Sequence, residues 1–372
     1  MVENVKPKFF YGYIVVLAGF LIMMIIFGMN YSFGVFFKPL LTEFGWTRAE
    51  TSGAFSLCMV LHGLLAIVTG RLNDRLGPRI VVTASAFFLG VGYLLISQIS
   101  AIWQLYLFYG VMISIGMSGG FVPLVSTGAR WFVKRRGLMT GIIVSGVGLG
   151  TMIMPPVANW LISSYSWRIS YIVIGGIALA LIILAAQFLR RDPTQMGQLP
   201  YGADEVKEEG LNLEVGGFSL REAIGTRQFW MLSVIFLCFG FFIQAIMVHI
   251  VPHAIDTGIS AASAASILII IGGLSLAGRV IMGGCGDRIG SKSAAIICFI
   301  LIVIALSWVV AAKGVWMLYP FAIIFGFGYG GLVALQSLMV ADLFGMRAHG
   351  VILGANAFIS TIGAAIGPLL TG

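Results

Sequence analysis

The stretch that decides the fold reads Gly70-Arg-Leu-Asn-Asp74-Arg75-Leu-Gly77, and it occurs again as Gly283-Gly-Cys-Gly-Asp287-Arg288-Ile-Gly290. The offset that relates Asp74 to Asp287 also maps Gly45 onto Gly258, Gly137 onto Gly350, Gly141 onto Gly354, Gly150 onto Gly363 and Pro155 onto Pro368. One constant offset over so many positions indicates an internal duplication. The chain therefore consists of two parallel repeats.

The composition places both repeats in a membrane. Of the 372 residues, 59% are hydrophobic and 10% are charged, and the mean hydropathy is +1.02. Soluble domains carry about 25% charged residues, so a soluble protein of this size would leave a large apolar surface in water. The formal charge of +8 would favour nucleic acid in a soluble protein. Here membrane topology explains it, because the basic residues fall in short loops.

Eleven apolar runs have the length of about 20 residues that a membrane helix needs. They cover residues 11–37, 51–70, 80–100, 102–128, 138–162, 167–189, 228–252, 261–284, 293–312, 316–341 and 350–371. The first run is too long for a signal peptide and is expected to stay as a span. We predict an all-α membrane protein with an N-terminal six-helix bundle (1–190), a cytoplasmic linker (191–227) and a C-terminal bundle (228–372).

The repeat offset also predicts a twelfth helix. Gly372 corresponds to Asn159, at the end of the fifth span, whereas the sixth span of the first repeat continues to about residue 189. Its partner in the second repeat would follow Gly372, so we expect this helix to be absent from the sequence as given. An intact protein with a measured mass of 39.9 kDa would contradict the expectation.

The distribution of basic residues predicts a cytoplasmic N-terminus. Seventeen Lys and Arg residues then lie inside: Lys6, Lys8, Arg71, Arg75, Arg79, Arg130, Lys134, Arg135, Arg136, Arg190, Arg191, Lys207, Arg221, Arg227, Arg288, Lys292 and Arg347. Four lie outside: Lys38, Arg48, Arg168 and Lys313. With Arg279 inside a span, these account for all 22. The excess of positive charge inside is typical of cytoplasmic loops.

The repeated motif predicts a conformational latch. We interpret the segments Gly70–Arg79 and Gly283–Lys292 as joining paired spans on the cytoplasmic side, where glycine permits a tight turn. Asp74, Arg75, Asp287 and Arg288 would pair across neighbouring helix ends. The alternative is a generic charged loop, but recurrence at the repeat offset favours the latch.

Arg279 is the basic residue that falls inside a predicted span. It lies about two helical turns from the inner end of the run Ile267–Gly284. A charge at that depth costs several kcal/mol unless it meets water or a partner, and none of the 14 acidic residues falls inside a span. An anionic substrate would supply the partner, and a planar guanidinium matches a carboxylate in bidentate geometry. The alternative is a side chain that snorkels to the cytoplasmic surface.

Other polar residues in the spans are candidates for the substrate cavity. They are Asn30, Tyr31, Gln244, Ser275, Tyr329 and Asn356. His62, His249 and His253 are either packing residues or proton relays, because histidine titrates near neutral pH; His253 is expected in an outer loop. The four cysteines form no CxxC pair, so we expect neither a metal site nor a disulfide framework, and no cofactor.

The linker is polar and is expected on the inner side. It contains Asp204, Glu205, Glu208 and Glu209. We interpret residues 191–217 as a flexible tether. Residues 218–227 are expected to form a short amphipathic helix on the membrane face.

Three further segments carry a resemblance to a known family. They read Phe44-Gly-Trp-Thr-Arg-Ala-Glu50, Arg130-Trp-Phe-Val-Lys-Arg-Arg-Gly-Leu-Met-Thr-Gly141 and Ala223-Ile-Gly-Thr-Arg-Gln-Phe-Trp230. With Arg279 they make the chain resemble the major facilitator superfamily over its whole length, and more narrowly its branch of monocarboxylate transporters and oxalate/formate antiporters. The resemblance implies that Arg279 binds the substrate carboxylate.

The chain departs from that branch at three positions. Eukaryotic monocarboxylate transporters carry an Asp one turn before the arginine, where this chain has Ser275, and a Lys in the first span, where it reads Met29-Asn-Tyr-Ser-Phe-Gly34. Oxalate exchangers place a Lys in span eleven, and Gly350–Gly372 contains none. One fixed cation suits one carboxylate better than two.

These observations predict a transporter of small monocarboxylates such as lactate or pyruvate, coupled to protons and working by alternating access. One alternative is an organic-anion exchanger without net proton movement. Another is a membrane ligand sensor, whose expected mark, an added soluble domain, is not visible. An enzyme is not expected, because no nucleophile–base pair is visible. The expected partners are a small organic monoanion and protons, and no nucleic acid. The protein is expected in the bilayer of the cell (inner) membrane, as a monomer.

Overall fold

The structure, a computed structural model, describes residues 10–203, 217–312 and 314–371. Within these ranges eleven helices are long and apolar enough to cross a membrane, which confirms the predicted number. They are α1 (Gly12–Phe44), α2 (Arg48–Leu76), α3 (Pro78–Ile96), α4 (Ile102–Trp131), α5 (Arg136–Ser164), α6 (Trp167–Ala186), α7 (Arg227–Asp256), α8 (Ala261–Ile289), α9 (Ser291–Val310), α10 (Val315–Phe344) and α11 (His349–Thr371). Lys6, Lys8, Lys207 and Lys313 lie outside the described residues.

Several helices, such as α2 and α8, extend beyond their apolar runs, because capping residues and glycines set their ends; α3 and α6 are shorter than theirs. At the start of α2, the Thr47 hydroxyl accepts from the Glu50 N–H while the Glu50 carboxylate accepts from the Thr47 N–H. At its end, Gly77 takes a φ of 84°, and so does Gly290 after α8. The segments 70–79 and 283–292 thus join consecutive helices as expected, but the joint in each is a single glycine and the other residues are helical.

The helix packing repeats with the sequence offset. In the first half α5 packs on α1, where a Cβ at Gly150 would collide with the Met24 carbonyl oxygen. In the second half α11 packs on α7, where a Cβ at Gly363 would collide with the Leu237 carbonyl oxygen. Both members of the second contact are the repeat counterparts of those in the first. Small residues allow such close approach of membrane helices.

The two halves meet along two creases, formed by α2 with α11 and by α5 with α8. At one end of the molecule, Gly70 lies against the backbone of Gly350, and Gly137 lies against the backbone of Gly283. We call this the basic end: α2 and α8 finish there, and α5 and α11 begin there. The opposite end is called the far end.

The faces that α6 covers in the first half are exposed in the second. α6 packs on α1 and α5, and Ala18 on that face of α1 is 5% exposed. Its counterpart on α7, Met231, is 53% exposed. On α11, Leu370 is 74% exposed, compared with 38% for its counterpart Val157 beside α6. The expectation of a twelfth helix stays a prediction.

The described parts of the linker are attached to the helix ends. The backbone N–H of Tyr201 donates to the Trp131 carbonyl oxygen, and the Tyr201 carbonyl oxygen accepts from the Lys134 N–H. Residues 191–203 thus differ from the flexible tether that composition indicates. Leu220–Ile224 is a short helix capped by Ser219, whose hydrogen bonds hold the pKa of the Glu222 carboxyl below its usual range. The acidic residues Asp204, Glu205, Glu208 and Glu209 lie outside the described residues.

Candidate substrate site

Arg279 reaches from α8 of the second half onto α5 of the first. Its side chain is buried, with the residue 3% exposed. One terminal nitrogen, Nη1, donates to the Val144 carbonyl oxygen at 3.4 Å. Gly148 provides the space, because a Cβ built there would lie 3.1 Å from Nη1. The guanidinium therefore lies in the interface between the halves and not at the membrane surface, which does not fit a snorkelling side chain.

The hydrogen bonding of Arg279 is incomplete. Nη2 donates to the Tyr329 hydroxyl at 3.3 Å, and the buried Nε has no partner. Both bonds are longer than the range of about 2.7–3.2 Å that is typical of N–H···O hydrogen bonds. Among the described residues, Arg279 takes part in no ion pair. A buried guanidinium has five N–H donors and no acceptor, so the arrangement leaves donors for an anion.

Tyr329 connects Arg279 to an aromatic group in the second half. The guanidinium lies 5.7 Å from the centre of the Tyr329 ring. That ring stacks on Phe325, with centroids 6.4 Å apart, and lies 6.3 Å from the ring of Phe239 on α7. The rings fix Tyr329, and its hydroxyl in turn orients the guanidinium. The site thus combines one cation, one hydroxyl and an apolar wall.

Tyr31 and Gln244 occupy equivalent positions of the two repeats, on α1 and α7. Tyr31 is 54% exposed, and Gln244 is also exposed. Tyr31 lies beside an interruption of helix α1 at Ser32 and is close enough to Tyr329 and Arg279 to interact electrostatically with both. The structure thus places Tyr31 within electrostatic range of Arg279 and Tyr329, and among the described residues it forms no hydrogen bond or ring contact with either.

The other predicted site residues have different partners. The Ser275 hydroxyl donates to the Gly272 carbonyl oxygen of its own helix at 2.8 Å. Asn30 is buried in the first half, where its side-chain oxygen accepts from the Tyr109 hydroxyl at 3.3 Å. The His249 ring contacts the Pro368 carbonyl oxygen through Nε2 at 3.2 Å, which connects α7 to α11. Asn356 is fully buried and accepts from Gln336 at 2.7 Å.

The two remaining candidate histidines differ in their surroundings. His62 packs edge-on against Phe27, which lies one helical turn before Tyr31 on α1. Its Nδ1 is buried and has no hydrogen-bond partner. His253 is exposed on the last turn of α7, so its expected place in an outer loop is wrong; the polar end of the helix continues past the apolar run.

The carboxylates of the repeated motif each cap a helix of the opposite half. Asp74 accepts from the N–H groups of Gly350 at 3.3 Å and Val351 at 3.1 Å, in the first turn of α11. We call this contact the first latch. Asp287 accepts from the N–H groups of Gly137 at 2.6 Å and Leu138 at 2.8 Å, in the first turn of α5. We call this contact the second latch; a carboxylate at a helix N-terminus is favoured by the helix dipole.

The arginines near the latches behave differently from the expectation. Arg130, which the motif does not include, donates to Asp74 at 2.8 Å. Arg75 and Arg288 are exposed and form no ion pair within the part of the chain that the structure describes. Sequence reasoning missed Arg130 because it lies on α4, distant from Asp74 along the chain.

The described residues form two parallel repeats, with six spanning helices in the first and five in the second, and the buried cation Arg279 lies between them. This arrangement is that of a two-bundle membrane carrier. Residues 19–368 match the family model of the Major Facilitator Superfamily, and the chain belongs to this family. It is a multi-pass membrane transporter, and the family is not one of enzymes.

Individual relatives agree with this assignment. Monocarboxylate transporter 13 of Rattus norvegicus is 28% identical over 364 residues, which cover 97% of this chain and 82% of the relative. The Escherichia coli (strain K12) transporter YhjX, described as an uncharacterized MFS-type transporter, is 24% identical over 336 residues, covering 89% of this chain and 80% of the relative. The predicted resemblance to monocarboxylate transporters is thus confirmed at low identity.

A solved structure agrees in fold. The human organic anion transporter MFSD10 superposes with a TM-score of 0.74 at 14% identity, covering 96% of this chain and 92% of that one. At this identity the likeness concerns the fold alone.

Proposed function

We propose that this protein carries small monocarboxylates of the lactate and pyruvate kind, with Arg279 as the group that binds the carboxylate. The observation that carries the proposal is the buried guanidinium of Arg279, whose Nε has no partner. Leaving such a donor unsatisfied costs about 1–3 kcal/mol, and a carboxylate oxygen would recover it. The names of the rat and other monocarboxylate relatives support the same substrate class.

The single charge favours one carboxylate over two. No other Lys or Arg accompanies Arg279 in the middle of a described helix. The remainder of the site consists of Tyr329, Tyr31 and apolar rings, which would enclose a short organic chain. A second carboxylate would have no fixed cation to balance it.

The latches support alternating access. Both close the basic end, while Tyr31 and Gln244 are exposed on the opposite side of Arg279. We place the basic end in the cytoplasm of the cell (inner) membrane, following the charge distribution, so that the conformation described faces outward. Transport would then break both latches as the halves rock about Arg279. The residue bounds of the two bundles and the monomeric state belong to the same proposal.

Proton coupling is the finer part of the proposal. His249 is held by a backbone carbonyl oxygen, whereas Nδ1 of His62 has no partner. Burial without an acceptor disfavours a protonated His62, whereas the Pro368 carbonyl oxygen can accept from a protonated His249. The carrier in this proposal is therefore His249, with the substrate itself as the alternative. The competing function is anion exchange without net proton movement. It is favoured by Ser275, which stands where eukaryotic monocarboxylate transporters have a protonatable Asp.

Reconstituted uptake tests the proposal. Purified protein in liposomes would be given a panel of labelled organic acids, with and without an imposed proton gradient. We expect lactate or pyruvate uptake that the gradient accelerates, and severe loss with Arg279→Lys, because the bidentate contact is lost. Lactate uptake that survives Arg279→Ala would refute the site. Trans-stimulation without any response to the gradient would replace symport by exchange.

A further inference from the structure

A second cavity lies at the basic end, separate from the site around Arg279. It is a groove of about 890 Å³ at the crease between α5 and α8. The turn between α4 and α5 forms one wall, with Arg135 and Leu138. The last turns of α8 form the other, with Ile281 and Arg288, and Tyr201 of the linker lies between them. The proposed transport mechanism assigns no role to this groove.

The mouth of the groove is positively charged. Arg135 of the first half and Arg288 of the second line it, and Asp287 is the acid among the described residues of its lining. The Asp287 carboxylate is already bonded to the N–H groups of Gly137 and Leu138. An anion at the mouth would therefore meet arginines from both halves. The local excess of positive charge fits an anionic ligand.

Arg135 is held in an uncommon backbone conformation. Its φ is +65°, and it is the non-glycine residue with positive φ among the described residues. That conformation is uncommon for a residue with a Cβ and marks a place where the surroundings fix the backbone. The guanidinium lies over the Tyr201 ring, 5.6 Å from its centre. Backbone and ring together position the Arg135 charge at the mouth.

The floor of the groove is apolar and faces the membrane. Ile281, which is 51% exposed, lies seven residues before Arg288 on α8. At the rise of an α-helix this is about 10 Å along the axis, towards the bilayer. Leu138 and Val280 continue the apolar surface. A basic mouth above an apolar floor is complementary to a phospholipid, whose charged headgroup and acyl chain would occupy the two parts. Free phosphate would use the mouth alone.

We propose that this groove binds the phosphate headgroup of an anionic phospholipid, with Arg135 and Arg288 on either side of it and the upper acyl chain along Ile281. Basic pockets between membrane helices bind such headgroups. Because the two arginines belong to opposite halves, the lipid crosses the crease beside the second latch and stabilises the conformation closed at the basic end. The proposal does not depend on the identity of the transported substrate.

The other crease does not have the same lining. The counterpart of Arg135 is Ala348, which removes one of the two arginines, whereas Arg288 and Ile281 have the exposed counterparts Arg75 and Val68. There the Phe218 N–H donates to the Phe344 carbonyl oxygen, so the linker lies along the end of α10. The asymmetry assigns the lipid to the α5/α8 crease.

Native mass spectrometry of the full chain tests the proposal. The purified protein would be titrated with phosphatidylglycerol and with phosphatidylcholine of the same acyl chains. We expect tighter binding of phosphatidylglycerol, weakened about fivefold by Arg135→Gln or by Arg288→Gln and more by both together. Arg221→Gln, an exposed arginine on the linker, is the matched control and should change nothing. Arg288→Lys should retain most of the affinity, and unchanged melting in detergent shows that the variants are folded.

Three outcomes would overturn it. Equal affinity for the two lipids, or unchanged phosphatidylglycerol binding in the double variant, would remove the headgroup from the groove. Inorganic phosphate that binds alone as tightly as the lipid and displaces it would assign the mouth to a soluble anion. Because none of these measurements uses transport, failure here leaves the substrate proposal intact.

Discussion

The two creases have the same backbone contacts and different chemistry. A Cβ at Gly141 would collide with the Arg279 carbonyl oxygen, and a Cβ at Gly354 would collide with the Ala66 carbonyl oxygen. The repeat offset relates both members of these two contacts. Beside Arg279, Gly148 leaves room for the guanidinium, which bonds to the Val144 carbonyl oxygen.

In the α2/α11 crease these positions are filled differently. Thr361 stands where the first half has Gly148, and its hydroxyl donates to the Ala357 carbonyl oxygen at 3.0 Å. Ala357 in turn corresponds to Val144. The duplication therefore supplies the interface between the halves twice. The charge proposed to bind substrate, Arg279, is present in one copy, where Gly148 leaves space for it.

The largest expected effect comes from making the two creases alike. Arg279→Ala reproduces Ala66 and removes the charge that holds the carboxylate. Each hydrogen bond to a charged group contributes about 1.5–3 kcal/mol. Losing the two bonds of a bidentate contact should therefore lower uptake of lactate or pyruvate about 100-fold or more. Adding Ala66→Arg to the Arg279→Ala variant should not restore uptake, because Thr361 fills the space in the α2/α11 crease that Gly148 leaves open beside Arg279. Restored uptake in the double variant would show that the creases are interchangeable.

A smaller loss is expected when the space beside Arg279 is filled. Gly148→Thr copies Thr361, so its Cβ would crowd Nη1 and its hydroxyl would compete for the Val144 carbonyl oxygen. A displacement that costs about 1–2 kcal/mol would lower initial uptake rates roughly 10-fold. The matched control is Thr361→Ala in the other crease, which should keep the rate within about twofold. Equal losses in both variants would attribute the effect to packing alone.

The latches should differ in strength. The first latch has the Arg130 ion pair in addition to two backbone donors, and the counterpart of Arg130 near the second latch is Leu343. Asp74→Asn should accelerate amide hydrogen exchange at Gly350 and Val351, and Asp287→Asn at Gly137 and Leu138. We expect increases of about tenfold, larger for Asp74. Exchange that rises everywhere, or at neither pair, would contradict the assignment.

The smallest effect concerns the helix caps at the far end. Thr47 and Glu50 form a reciprocal capping box on α2, whereas at the equivalent positions on α8 the Ser260 hydroxyl accepts from the Ser263 N–H alone. Replacing a cap by alanine costs about 1 kcal/mol. Thr47→Ala should therefore raise amide exchange in the first turn of α2 roughly fivefold, and Ser260→Ala should act less on α8. The reverse order would contradict the comparison.

Much of the fold was predictable because it follows from hydropathy and from the repeat. Eleven spans and the constant repeat offset were visible in the sequence, and the offset also relates contacts such as Gly150 with Met24 and Gly363 with Leu237. Helix ends were not predictable in the same way. Caps such as Thr47 and turns such as Gly77 set them beyond the apolar run.

The candidate site was predictable to a smaller extent. Arg279 was identifiable because a charge inside a span is costly. Its partners were not, since the Val144 carbonyl oxygen is a backbone group in the other half of the chain. Asn30 and His249 were predicted as cavity residues because a polar side chain inside a span needs a hydrogen-bond partner. The sequence does not show whether that partner is a substrate or another part of the protein.

The latches also determine how freely the sequence around them can change. Each carboxylate bonds to main-chain N–H groups, which every amino acid except proline supplies. The latch bonds therefore require no particular side chain at Leu138 or Val351, whereas Asp74 and Asp287 have no substitute of the same length and charge. We expect apolar substitutions at positions 138 and 351 to keep both latches, within the size that the buried Val351 site accepts, and proline to remove the bond. Such apolar substitutions at the residues that donate the N–H groups would thus leave the closed conformation intact, whereas substitutions of Asp74 or Asp287 would destabilise it.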